Sequence, residues 1–185
     1  MRKTTIEAWT SEWSQRYEKE ETLLKGILKE DLMAIHHIGS TSIPTIGYAK
    51  PVIDILVVVK EIDRVDTYDD ELMRIGYIPK GENGIKGRRY FPKGGIHRTH
   101  HLHIYQLGSV QIEHQLVFKK YLLHHHEEAK AYGELKLQLK QQFPHEHQKY
   151  QDGKQSFVHE LNERAKAWGC RTEEGLNSYY VRKLT

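Results

Sequence analysis

A single acid interrupts an otherwise apolar stretch in the first third of the chain. Asp54 lies within the segment PVIDILVVV, residues 51–59, whose composition is typical of a buried strand. Because a bare charge is costly to bury, we expect this carboxylate at a strand end or beside a partner. Asp54 is therefore a candidate site residue.

A Gly-Ser pair precedes this acid. Gly39 and Ser40 are followed by thirteen residues and then by Asp54. Glycine lets a backbone approach a ligand closely, the free amides of a turn bind anions, and the serine hydroxyl adds a donor. With Thr41, the pair predicts a phosphate site, and Asp54 would hold a divalent metal that bridges the same phosphates. The alternative is a purely structural turn, with Asp54 paired to Lys50 or to a backbone amide.

Two histidines alternate along a later segment with strand character, residues 101–107. His101 and His103 project from the same face of such a strand. Imidazoles combined with a carboxylate favour zinc, manganese, nickel or iron over magnesium. Histidines at this spacing are also common as buried or hydrogen-bonded structural residues.

Basic residues interleaved with Tyr90 and Phe91 come just before these histidines. Guanidinium groups present a planar fork that suits phosphate, so Arg89 and Arg98 are predicted substrate ligands. A solvated, charged edge strand is the alternative interpretation. Lys50, directly before Pro51, is a further predicted cation. The basic cluster as a whole is Lys86, Arg88, Arg89, Lys93 and Arg98.

The composition limits the classes of function. Formal charge is only +3, from 28 basic and 25 acidic residues, so any attraction to phosphate must be local, and duplex nucleic acid is not an expected partner. The single cysteine cannot form an internal disulfide, and there is neither a signal-peptide segment nor a long apolar run. We expect a cytoplasmic protein that does not bind membranes, and oligomeric state is left open.

The spacing of apolar residues and the positions of glycine and proline predict the helices and strands that carry these residues. Apolar spacing from Trp9 to Leu28 predicts an amphipathic helix, and strands are predicted over 34–38, 52–59, 88–92 and 101–107. Residues 61–75 have helical composition. One or two long helices are predicted from Val110, and another after Gly153. We therefore expect an α+β fold with a mixed sheet of about four to six strands and a helical carboxyl-terminal third. Residues 1–170 are predicted to form one domain, followed by a polar tail, 171–185.

Four segments in order, HIGSTSIP with KPVIDILVVV, then RTHHLHIYQLGS, then HQLVFKKYLLHHHEEAKAYGELK, and finally KYQDGKQSFVHEL, resemble the GrpB family. The resemblance covers roughly residues 13–168 and implies a nucleotidyltransferase-like fold. Gly39, Ser40 and Asp54 match the first slots of the superfamily pattern, but Leu56 occupies the slot of its second acid. The resemblance also implies that the His101 strand pairs beside the Asp54 strand, which gives a cluster of Asp54, His101 and His103.

Three classes of function follow from this set of residues. The first is a protein that binds a nucleotide or another phosphorylated small molecule and catalyses metal-dependent nucleotidyl or phosphoryl transfer, with Asp54 and His103 catalytic and magnesium, manganese or zinc as cofactor. The second is a non-catalytic ligand-binding or interaction module, which Leu56 favours. The third is a histidine-metal hydrolase of phosphoesters.

Overall fold

The computed structural model describes residues 5–171, and these residues divide into two compact units. Residues 10–42 and 51–112 form the sheet unit. Residues 5–9, 43–50 and 113–171 form the helical unit. The predicted single domain over 1–170 stays a prediction, and the predicted tail lies, except for Arg171, outside the described residues.

Both units contain strands. In chain order the strands are β1 (Glu7–Ala8), β2 (Leu32–Ile38), β3 (Tyr48–Ala49), β4 (Ile53–Val59), β5 (Arg88–Lys93) and β6 (His100–Gln106). In the sheet unit the order is β2-β4-β6-β5, and only the β4–β6 pair is parallel. In the helical unit, β1 and β3 form a small antiparallel pair. The main sheet is therefore mixed and four-stranded, as predicted.

Helices complete both units. They are α1 (Glu12–Leu28), α2 (Asp69–Arg74), α3 (Val110–His124), α4 (His126–Gln142) and α5 (His147–Gly169). Helices α1 and α2 belong to the sheet unit, α4 and α5 to the helical unit, and α3 to the helical unit from Glu113 onward. The α+β class and the helical carboxyl-terminal part are thus confirmed. Within residues 5–171, no helix has the length and apolarity needed to cross a membrane.

Strand β4 is the centre of the sheet unit. Every residue of β4 except Asp54 is buried. On one face of the sheet, Tyr17 of α1 stacks on His37 of β2, with ring centroids 4.8 Å apart. Since His37 lies opposite Ile55 and strand neighbours alternate in direction, α1 covers the face that does not carry Asp54. The functional side chains lie on the other face, which also carries the buried Leu56 and Val58.

Two predicted helices differ from the observed ones. Residues 61–75 form a 3₁₀ segment, Asp63–Tyr68, before the short α2, and Asp63 and Asp66 of this segment pair with Arg89. Helix α5 begins at His147 rather than after Gly153. A Cβ at Gly153 would overlap a methyl group of Leu139, so this glycine permits close helix packing instead of starting the helix.

Candidate metal and phosphate site

The pairing of β4 with β6 brings three predicted site residues to one face of the sheet. His101 lies opposite Asp54, and His103 lies opposite Leu56, the position of the missing second acid. Because residues opposite each other in neighbouring strands project to the same side, Asp54, His101 and His103 share a face. Their ligand atoms all lie within 4.8 Å of one another.

Within this cluster, the two imidazoles approach the same carboxylate oxygen. His101 Nδ1 lies 2.9 Å from Asp54 Oδ1, and His103 Nε2 lies 3.9 Å from it. The Asp54 side chain is 29% exposed, and those of His101 and His103 are 29% and 17% exposed. The cluster is therefore sheltered by the protein and still reachable from solvent.

The charge on Asp54 is already compensated. Burial by itself would raise the pKa of this carboxyl, but the hydrogen bonds and positive charge from His101 and His103 outweigh burial and hold the pKa well below its usual range. Asp54 is consequently a carboxylate at neutral pH, and the N–H at Nδ1 of His101 donates to it. A carboxylate with two imidazoles is a donor set that fits zinc or manganese better than magnesium.

Strand β5 adds two further groups beside the histidines. The ring of Tyr90 lies 5.7 Å from that of His101 and 5.3 Å from that of His103. Arg88 is only 6% exposed, and its guanidinium donates to the carbonyls of Glu82 and Asn83. Its Nη1 also lies 3.4 Å from His103 Nδ1. Arg88 thus places a buried positive charge at the edge of the cluster.

The contact between Arg88 and His103 selects a tautomer. Because a guanidinium only donates, Nδ1 of His103 must accept, and a neutral ring then carries its proton on Nε2, which faces Asp54. A metal ion bound at Nε2 would require the opposite tautomer. Arg88 therefore favours the metal-free arrangement of His103, and ion binding must open this contact.

Gly39 permits the close approach of the carboxylate. It follows β2 with a φ of 69°, and a Cβ built there would overlap Oδ2 of Asp54 and lie 3.0 Å from its Cγ. No side chain larger than hydrogen fits unless Asp54 turns away from His101. The Gly-Ser motif therefore has a direct steric relation to the acid, as well as turn geometry.

The hydroxyls after Gly39 differ in availability. Ser40 begins a 3₁₀ turn, Ser40–Ser42, and is half-buried. Thr41 is 1% exposed, its Oγ1 lies 2.9 Å from His37 Nε2, and it donates to the carbonyl of Val52. Ser42 donates to the carbonyl of Gly39. Of the predicted phosphate-binding hydroxyls, Ser40 is the accessible one, and Thr41 holds the turn against β4.

The structure does not bring every predicted cation to this cluster. Arg89 projects from the face of β5 opposite to Tyr90 and forms ion pairs with Asp63 and Asp66, so the structure does not bring it to Asp54. Arg98 is half-buried in the loop between β5 and β6, and its Nε has no hydrogen-bond partner in the described part of the chain. Lys50 belongs to the helical unit, where its Nζ lies 4.5 Å from the centroid of the Tyr150 ring.

A family model described as GrpB protein matches residues 3–164. The chain belongs to the GrpB family. This finding confirms the resemblance that the four sequence segments carry.

Relatives of known sequence and structure agree with this assignment. UPF0157 protein YqkA of Bacillus subtilis is 45% identical over 167 residues, covering 90% of this chain and 48% of YqkA, so the chain spans about half the length of that relative. Glutamate-rich protein GrpB of Alkalihalophilus pseudofirmus is 32% identical over 154 residues, which cover 80% of this chain and 88% of the relative. The crystal structure of the conserved protein GrpB from Enterococcus faecalis is 43% identical, with a TM-score of 0.83 over 89% of this chain and 99% of that one.

A more distant likeness is to the Cid1 poly(U) polymerase. That structure is 16% identical over 68% of this chain and 43% of its own, with a TM-score of 0.40. A likeness of this size is too low to imply a shared activity.

Sequence reasoning missed Tyr90 and chose Arg89 over Arg88. Alternation along a strand puts residues 88 and 90 on one face and residue 89 on the other. This signal was available, but which face meets the histidines depends on the register of β5 against β6. The GrpB sequence alone does not specify that register.

Proposed function

We propose that this GrpB protein binds a divalent metal ion through Asp54, His101 and His103, and with it a nucleotide or another phosphorylated small molecule at the Gly39–Ser40 turn. The observation that carries the proposal is the convergence of three ligand atoms within 4.8 Å on one face of the sheet. Ser40 would donate to a phosphate oxygen, and the open amides of the turn would do the same. The order Gly39, Ser40 and then Asp54, which matches the first slots of the nucleotidyltransferase pattern that the sequence resembles, supports a nucleotide as the ligand.

Transfer of a nucleotidyl or phosphoryl group is the reaction that this site favours. A bound metal ion would act as a Lewis acid that polarises a phosphoryl oxygen. The protein residues hold the remaining roles: Asp54 keeps its charge at neutral pH, and the Nε2 proton of His103 is held toward the carboxylate. An ion bound at Nε2 replaces this proton, so His103 acts as a ligand in the metal-bound protein and as a proton donor only while no ion occupies Nε2.

A second candidate function is non-catalytic ligand binding without a metal ion. Two observations favour it: Leu56 stands where a second acid would complete a two-metal site, and Arg88 holds His103 in the tautomer that disfavours a metal at Nε2. Such a protein would bind a phosphorylated ligand through the Gly39–Ser40 turn alone.

A thermal-unfolding screen separates these functions. Each nucleoside triphosphate is tested alone, with magnesium, with manganese and with zinc, against the wild-type protein and Asp54→Asn. The metal-dependent proposal predicts that one triphosphate raises the Tm by about 5 °C more with a metal than in its absence, because a ligand at a hundred times its Kd adds about 2.7 kcal/mol. Asp54→Asn should lose this shift.

Asp63→Asn is the matched control, since Asp63 is an exposed acid of the same unit with an ion pair to Arg89. It should behave as wild type. A triphosphate shift of equal size with and without a metal would replace the proposal with the non-catalytic function, and stabilisation by zinc or manganese alone would favour a metal-dependent phosphoester hydrolase. No shift under any condition, or a full shift in Asp54→Asn, would overturn the proposal.

A further inference from the structure

The helical unit contains a buried lysine that no part of the proposed site uses. Lys136 of α4 is only 3% exposed, and its Nζ has no hydrogen-bond partner among residues 5–171. The Nζ lies 4.3 Å from the centroid of the Tyr132 ring, one turn earlier on the same helix. Burying an ammonium group without an acceptor is strongly unfavourable, so this position calls for an explanation.

Two more lysines of the helical unit add positive charge near Lys136. Lys50, which follows β3, and Lys154 of α5 lie with their Nζ atoms 4.5 and 5.6 Å from the centroid of one ring, that of Tyr150. Tyr150 is itself 1% exposed. The charges that act on Lys136 come from these two lysines, so the surroundings add positive charge to a buried cation.

The backbone fixes this arrangement. Gly133, beside Tyr132, packs against the carbonyl of Ile46, and a Cβ at Gly133 would overlap that oxygen. Gly153, beside Lys154, packs against Leu139 in the same way. Helix α4 is thereby held close both to the segment that leads to Lys50 and to α5. Packing therefore holds together the backbone segments that carry the three lysines.

We propose that Lys50, Lys136 and Lys154 form a phosphate-binding site in the helical unit, with Lys136 as its buried cation. A compact, multiply charged anion supplies the acceptors that Nζ of Lys136 lacks among the described residues and offsets the mutual repulsion of three like charges. A phosphoryl group matches these needs better than a carboxylate, because it carries more charge on more acceptor oxygens. Binding at these lysines needs neither Asp54 nor a metal ion.

Protonation supports this assignment. Burial, and after it the charges of Lys154 and Lys50, lowers the pKa of Lys136 to about 7. Among residues 5–171, the titratable groups that contact Lys136 or act on its charge are Tyr132 on its own helix, Lys154 on α5 and Lys50, and both of these lysines lie over the ring of Tyr150. At pH 8 Lys136 is therefore mostly uncharged. A bound anion favours the ammonium form, so binding takes up a proton.

Isothermal titration calorimetry of the full chain tests the site. Inorganic phosphate, pyrophosphate and ATP are titrated at pH 8 with EDTA present, in two buffers of different ionisation enthalpy. We expect binding with uptake of a fraction of a proton. Lys136→Met should weaken binding about tenfold or more and abolish the proton uptake, since a charge-assisted hydrogen bond contributes about 1.5–3 kcal/mol.

Matched variants separate this site from other causes. Lys149→Met removes an exposed lysine of α5 that pairs with Glu146, and it should bind as wild type. Because EDTA removes any ion from the sheet unit, weaker binding by Asp54→Asn under these conditions would assign the anion to the sheet unit. Binding of pyrophosphate or inorganic phosphate identifies a general phosphoryl site, whereas binding of ATP alone identifies the phosphate tail of a nucleotide. Absence of binding by all three anions, or equal affinity in Lys136→Met and wild type, would overturn the proposal.

Discussion

Asp54 in the sheet unit and Lys136 in the helical unit are both sheltered charges, and the pKa of each is lowered, but for opposite reasons. At Asp54, hydrogen bonds from two histidines outweigh burial and stabilise the charged form. At Lys136, burial and two neighbouring lysines destabilise the charged form. Among residues 5–171 the acid already has its partners, whereas the base lacks a hydrogen-bond acceptor. A ligand at Lys136 is therefore expected to supply a negatively charged acceptor. A ligand at Asp54 would instead bind to side chains that already contact one another.

The largest expected effect is the change in stability of the helical unit when Lys136 is replaced. Lys136→Met should raise the free energy of unfolding by on the order of 2 kcal/mol at pH 6.5, because burying the ammonium penalises the wild type there. The sign follows from the pKa, which is lower in the folded chain, at about 7, than in the unfolded chain. The unfolded chain thus binds more protons, and wild-type stability rises with pH between about 7 and about 10.

Urea unfolding from pH 6.5 to pH 9.5 measures this difference. The advantage of Lys136→Met over wild type should shrink steadily across the range. The exposed control Lys149→Met should differ from wild type by less than about 0.5 kcal/mol at every pH. A Lys136→Met protein that is less stable than wild type at pH 6.5 would mean that Lys136 already has an anionic partner, and the contrast with Asp54 would fail.

A second, smaller effect concerns how the sheet unit holds its acid. Gly39→Ala places a methyl group against the carboxylate of Asp54, which must turn away and release His101. We expect metal affinity to fall about tenfold and stability to fall by about 2 kcal/mol more than in Gly87→Ala. Gly87 has a similar φ of 77°, but a Cβ at Gly87 would meet no atom of the described residues within 4 Å, so its variant measures backbone strain alone.

Calorimetric titration with zinc and urea unfolding of both variants provide the two numbers. If Gly39→Ala and Gly87→Ala lose equal stability and bind zinc equally well, then contact with Gly39 does not position Asp54. The cluster would in that case depend on the strand pairing alone.

The sequence predicts the Asp54 cluster far better than it predicts the Lys136 cluster. Strands have a strict two-residue alternation, so His101 and His103 fall on one face, and an acid within an apolar strand is conspicuous. Lys136 lies in a polar helix with lysines at other positions, and a helical pattern does not show which lysine is buried. Its burial depends on packing between elements distant in sequence, such as the contact of Gly133 with the carbonyl of Ile46.

The same limit explains Arg88 and Arg89. Neighbouring residues of a strand face opposite ways, and only the register of β5 on β6 decides that Arg88 meets His103 while Arg89 meets Asp63 and Asp66. Strand β4, predicted over 52–59 and observed as Ile53–Val59, is predictable without this register, because Asp54 alone interrupts its apolar run.

The smallest expected effect tests whether Arg88 lowers the affinity of the Asp54, His101 and His103 cluster for cations. Arg88→Met should raise the affinity for zinc about threefold, because it removes a nearby positive charge and lets His103 carry its proton on Nδ1, which frees Nε2 for the ion. Arg89→Met is the matched control, since Arg89 faces the other side of the sheet, and its zinc affinity should equal that of wild type.

Because Arg88 also donates to the carbonyls of Glu82 and Asn83, the imidazole ¹⁵N chemical shifts of His103 provide a second readout that does not depend on the stability of this loop. A proton that stays on Nε2 in Arg88→Met, together with unchanged affinity, would show that Asp54 rather than Arg88 sets the tautomer. The charge of Asp54 would then be compensated within its own cluster, in contrast to the charge of Lys136.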